Sequence, residues 1–117
     1  MANPNIVNVT TITGKTAVQA VGTSATAIIT NSAASDKVLK VNALYISNVD
    51  GTNAANINVD IYRSSVAYHI AKTVSIQADT TLDILSKSLY LEEGDELRLT
   101  ASATSDLEAV CSYEEIS

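Results

Sequence analysis

Apolar and polar positions alternate with a period of two along most of this chain, the repeat of a strand with one face turned inward. Residues 56–63 are the cleanest case, with Ile57, Val59 and Ile61 on one side and Asn58, Asp60 and Tyr62 on the other. Comparable runs rich in Val, Ile, Thr and Tyr cover 5–12, 16–21, 25–30, 37–49, 66–77, 80–86, 88–91, 96–102 and 107–114. Turn formers separate them: Thr13-Gly14, Gly22-Thr23-Ser24, the polar stretch 31–36, Asp50-Gly51, and the tetrad Glu92-Glu93-Gly94-Asp95, in which Gly94 can take a positive φ. One segment competes. Val38, Val41, Asn42 and Tyr45 have helical spacing and Asp36 can cap them, but the β-branched content and the Asp50-Gly51 ending favour a strand.

Eight to ten short strands joined by turns predict a single all-β domain, an antiparallel β-sandwich or jelly roll. Residues 1–15 read as an N-terminal extended arm or first strand, and 16–117 as the sandwich. One register can be argued. With Ser64-Ser65 at a hairpin tip, Ile61 lies opposite Tyr68, Val59 opposite Ile70, and Asp60 opposite His69 on the other face. A slip by one residue would mix the faces. This register makes Tyr68 and Ile70 core residues and leaves His69 as a partner for Asp60, with Tyr62 pointing outward.

Composition sharpens the picture. The 117 residues suffice for one domain, and they include five Tyr but no Phe and no Trp. The core must therefore be filled by Ala, Val, Ile and Leu in thin layers, and such a domain gains by burying more surface against copies of itself. With a net charge of −6, duplex nucleic acid is not an expected partner. Residues 1–78 sum to +2 and residues 79–117 to −8, so the acids form either a solvated face or a surface for a basic partner. The uncharged stretch 16–35 is half Thr, Ser, Gln, Gly and Asn, so no membrane span is expected there. Residues 1–13 hold no basic residue and no continuous apolar core, so no secretory signal is expected either.

Candidate chemistry is sparse. His69 is the only imidazole, and no G-x-S-x-G elbow accompanies it. Cys111 alternates with Leu107, Ala109 and Tyr113, which places it inward as a small hydrophobe, in an acidic neighbourhood unsuited to a nucleophile. Glu92, Glu93, Asp95 and Glu96 crowd one turn. A calcium loop is the sharper reading and a solvated turn the simpler one, because EF-hand spacing is absent. No cofactor is expected, and the four glycines are isolated and form no phosphate-binding loop.

Three stretches carry a resemblance. The opening MANPNIVNVTTITGKTAVQAV, the central ALYISNVDGTNAANINVDIYR, and the closing LYLEEGDELRLTAS with LEAVCSYEEIS resemble small all-β virion structural proteins of marine tailed phages, cyanophages in particular. The resemblance implies a non-enzymatic protein made in the host cytoplasm and carried in many copies on the virion. A capsid decoration or cement protein is the leading expectation. A neck, tail or fibre component, including a receptor- or glycan-binding module, is the alternative. The implied partners are copies of itself and other virion proteins, such as the major capsid protein or neck and tail proteins. The uncharged N-terminal stretch, with Asn3, Asn5, Ile6, Val7, Val9 and Ile12, is expected to act as an assembly arm that adds to a neighbouring subunit's sheet edge.

Overall fold

A computed structural model of the chain describes residues 3–117. It has nine strands in two antiparallel sheets: β1 (Ile12–Ala20), β2 (Thr26–Thr30), β3 (Val38–Asn48), β4 (Ala55–Arg63), β5 (Val66–Ile76), β6 (Thr81–Asp83), β7 (Leu89–Leu91), β8 (Glu96–Ala101) and β9 (Leu107–Ile116). One sheet runs β1-β9-β3-β6, with β7 also paired to β3; the other runs β2-β8-β4-β5. The pairings nest. β4 and β5 form a hairpin, and outward from it β3 pairs with β6 and β7, β2 with β8, and β1 with β9. A long hairpin wrapped in this way into two facing sheets is a jelly roll, a form of β-sandwich. Among the described residues no helix is long and apolar enough to cross a membrane.

Alternation puts one face of each strand into the core. Leu39, Val41, Leu44 and Ile46 of β3 and Leu107, Ala109 and Cys111 of β9 face Ile57 and Val59 of β4 and Leu97 and Leu99 of β8. The phase change inside β3, from odd to even positions, follows from a bulge between Val41 and Ala43. The bulge puts Val38 and Tyr45, seven residues apart, on the same outer face, whereas Val41 points into the core, so their helix-like spacing marks no single face. Two buried asparagines close the ends. Asn31 Nδ2 donates to the carbonyls of Lys37 (2.9 Å) and Leu91 (3.0 Å), and Asn48 Nδ2 to those of Asn53 and Ile76 (2.9 Å each). Carbonyls in loops (Lys37, Asn53) and at strand ends (Leu91, Ile76) thereby find the donors that buried backbone needs.

Several expectations need correction. Residues 5–12 do not form a strand. A turn occupies 6–8, β1 starts at Ile12, and Gly14 lies within β1 rather than ending a strand. The Ser64-Ser65 hairpin tip is present, with both residues at positive φ (52° and 63°), as a type I′ turn requires. Ile61 pairs with Tyr68 and Asp60 with His69, but Val59 pairs with Ala71 rather than Ile70, because the β4–β5 ladder carries irregularities on either side of Val59. Tyr68 is 60% exposed and Ile70 lies at the surface, not in the core. β5 is an edge strand, and the facing sheet is edged only by the three-residue β6 and β7, so the start of β5 has little to pack against.

Leu44 is fully buried and Val18 is 74% exposed. Urea unfolding of Leu44→Ala is expected to show a loss of about 2–5 kcal/mol, from lost transfer energy plus the cavity left behind. Val18→Ala should change stability by less than about 0.5 kcal/mol.

Candidate assembly surface

Three features stand out beyond the core: the acidic turn, the outer face of the β1-β9-β3 sheet, and the N-terminal segment. The turn between β7 and β8 is built around Gly94 at φ 88°. It turns Asp95 inward until it is 1% exposed. Arg63, at the end of β4, meets it with Nε 2.7 Å from Asp95 Oδ1 and also reaches Glu92 Oε2 at 2.9 Å. The Glu92 amide donates to Asp95 Oδ2 at 2.8 Å. Asp95 and Glu92 hold the Arg63 guanidinium charged, well above the usual arginine range. Asp95 thus ties the turn to the end of neighbouring β4, and Glu93 accepts from the Asp36 amide at 2.8 Å. Glu96 sits in β8 opposite Thr30 and Tyr62. Among the described residues no group of three or more His, Cys, Asp or Glu is placed to hold a metal ion. Two of the four acids, Asp95 and Glu92, are paired with Arg63.

The remaining chemical candidates are dispersed. Asp60 is buried on the outer side of the β4–β8 pair, where Arg98 Nε lies 3.0 Å from its Oδ1. The same guanidinium stacks over Tyr62, 3.8 Å from the ring centroid, so Tyr62 is half-buried rather than freely outward. Asp60 is therefore Arg98's partner and not His69's, although the two strands align them; His69 is exposed on edge strand β5. Cys111 is fully buried, and burial pushes its thiol up to about 11. Sequence reasoning missed Arg63 and Arg98, because an arginine on an alternating strand carries no local sign of the carboxylate it will meet.

The outer face of the first sheet carries exposed apolar side chains in a row. Val18 of β1 lies beside Val110 of β9, which lies beside Tyr45 of β3. Tyr113 is the one tyrosine packed against the core; Tyr45, Tyr68 and Tyr90 are exposed. At one end of the same sheet Glu115 of β9 joins its neighbours, bonded to Lys37 Nζ (2.9 Å) and Lys15 Nζ (3.1 Å).

The N-terminal segment lies against its own domain. The amides of Thr10 and Thr11 donate to the Ser117 carbonyl (2.7 and 2.9 Å), and Ser117 returns a bond to Thr11. Asn3 Nδ2 donates to Glu92 Oε1 at 2.8 Å, and Asn3 Oδ1 accepts from the Glu93 amide at 3.3 Å. Between these anchors, Asn5 Oδ1 accepts from the Val7 amide and the Asn5 carbonyl from the Asn8 amide, both at 3.0 Å. Val9 is half-buried, Asn5 is exposed, and Ile12 is exposed within β1 opposite Ile116.

No known protein family matches the chain, and no curated protein matches it. Among solved structures it is similar to a chain from the Bacillus endospore appendages, which are described as a novel family of disulfide-linked pili. That match spans 92% of this chain and 88% of the other, with a TM-score of 0.52 and 13% identity. The likeness is one of fold, an all-β sandwich. The disulfide linkage of those pili has no ready counterpart here, since Cys111 is this chain's single cysteine and is buried.

Lys37 first, then Lys15, lowers the Glu115 pKa from its ordinary value of 4.5. The stability this pairing supplies is complete above that value and is lost as the pH falls through the lowered one. Thermal melts of the chain should therefore decline below about pH 4.5, with part of that decline removed in Glu115→Gln; an equal decline in the variant would contradict the assignment.

Proposed function

We propose that this chain is a non-enzymatic structural subunit that assembles with copies of itself on the surface of a larger particle. The observation that carries the reading is the N-terminal segment. It is uncharged from Asn3 to Gly14, it carries Ile6, Val7, Val9 and Ile12, and it leaves Val7 84% exposed. Exposed Tyr45, Tyr68 and Tyr90 and the Val18–Val110 pair support it, because tyrosines and apolar patches enrich protein interfaces. The absence of catalysis in this reading is supported by the commitment of Asp60 to Arg98 and by the buried, protonated thiol of Cys111. The particular form that the sequence motifs suggest is a capsid decoration protein of a tailed phage, with neck, tail or fibre as the alternative. A bacterial surface appendage is a second reading, favoured by the fold shared with the pilus protein; in that case noncovalent contacts would replace disulfides.

Sedimentation velocity of the purified full chain over rising concentration is the test. The expected result is a concentration-dependent series of multimers, lost on deleting residues 1–13 while circular dichroism still reports a folded sandwich. A full chain that stays monomeric throughout would overturn the proposal.

A further inference from the structure

We infer that residues 5–8 are a hinge and that the segment before it is exchanged between copies, Asn3 and Pro4 of one chain docking against Val38, Tyr90 and the Glu92–Glu93 turn of the next. This rests on the self-assembly reading above and specifies its contact.

The receiving surface is built. Val38 pairs with Ile116, and both sit on the outer face of the sheet, in phase with Lys40 and opposite to core Leu39 and Val41. Both are nonetheless buried, and neither belongs to the core cluster between the sheets. What faces Val38 is the N-terminal segment: Pro4 and Ile6 line a hollow of about 300 Å³ with Val38 and Tyr90, and Asn3 and Glu92 form its polar rim. The Asn3 amide bonds to Glu92 and Glu93 fix the far end. Val38, Tyr90 and Glu92 thus form a partly apolar docking face with a hydrogen-bonded stop, and Pro4 and Ile6 stand against it as the other wall of the hollow.

The connection to that peptide is poorly suited to its shape. The turn at residues 5–8 places Ile6 and Val7 at its two central positions. Turns draw on Gly, Pro, Asn, Asp and Ser, whereas Ile and Val are stiff at χ1 and prefer strands. The cis arrangement also leaves Ile6 49% exposed. Local preference and local structure disagree here, and short hinges in such conflict invite exchange. Opening the turn puts Ile6 and Val7 in the extended backbone they prefer and continues β1 backwards. Five residues of strand carry Asn3 about 17 Å from Asn8, away from its own hollow. A second copy presents the identical docking face, so the Asn3 and Pro4 contacts made in cis are remade in trans and the turn conflict is released.

The experiment uses full-length chains carrying either Asn3→Cys or Glu93→Cys, mixed, allowed to assemble and treated with a short bismaleimide. A chain carrying both substitutions is treated in parallel, and buried Cys111 is the background control. The expected result is a cross-linked pair of different chains in the mixture that neither single variant gives alone. Val7→Asn, which favours the turn without removing a docking contact, should cut that yield severalfold. Assembly with no cross-linked pair in the mixture, and with cross-linking confined within single chains of the double variant, would overturn the exchange and leave the self-assembly reading standing. Absence of assembly in the unmodified chain would overturn that reading, and the exchange with it.

Discussion

The structure depends on one dry seam, in which the inner faces of β3 and β9 close on those of β4 and β8. Each buried Leu or Ile there contributes roughly 1.5–3 kcal/mol relative to exposure. No Phe or Trp is available to thicken the seam, and of the five tyrosines only Tyr113 touches it. An aliphatic filling keeps the sheets close and the core narrow. Its strength rests on the phase of alternation, which is why the bulge at Asn42 matters: without the phase change either Leu39 and Val41 or Leu44 and Ile46 would face water.

The seam governs the rest of the surface. Aromatic side chains that find no room inside lie on outer faces and edges, where they are free to meet another molecule. The nested hairpin leaves β1, β2, β5 and the short β6 and β7 as edge strands. Charged clasps secure its ends: Arg63 with Asp95 at the end of the β4–β8 pair, and Glu115 of β9 with Lys15 of β1 and Lys37 just before β3. Since Asp95 is buried while Arg63 is half-exposed, loss of the arginine would strand a buried carboxylate, the costlier half of such a pair to leave alone. The same acidic turn supplies the carboxylate that holds Asn3, so sandwich closure and N-terminal docking share one loop.

Most of the architecture is legible in the sequence, because a period of two with turn formers between runs is a local signal. The strands at 26–30, 55–63, 66–76 and 96–101 follow from it closely. Tyr68 and Ile70 escape it because alternation says which side a residue faces and not whether anything lies opposite. Residues 5–9 escape it for a related reason: their composition is that of a strand, but a strand needs a partner edge, and β9 and Ser117 pair with the chain only from Thr10 onward. The partners of Asp60 and Asp95 cannot be assigned from sequence, since their arginines come from strands distant along the chain. Asn31 and Asn48 look like ordinary loop polarity, although their side chains satisfy buried carbonyls. The candidate surface is legible only as an uncharged stretch rich in Asn, Thr, Val and Ile; its seat around Val38 and Tyr90 requires the fold.

The central claim is that a rigid sandwich carries an N-terminal segment whose conformation depends on neighbours. Hydrogen–deuterium exchange at low and high protein concentration tests it most directly. The amides of β3 and β9 should be equally protected at both concentrations, while protection across residues 3–8 should change as copies associate. Identical exchange of residues 3–8 at every concentration, in samples that do associate, would contradict the account.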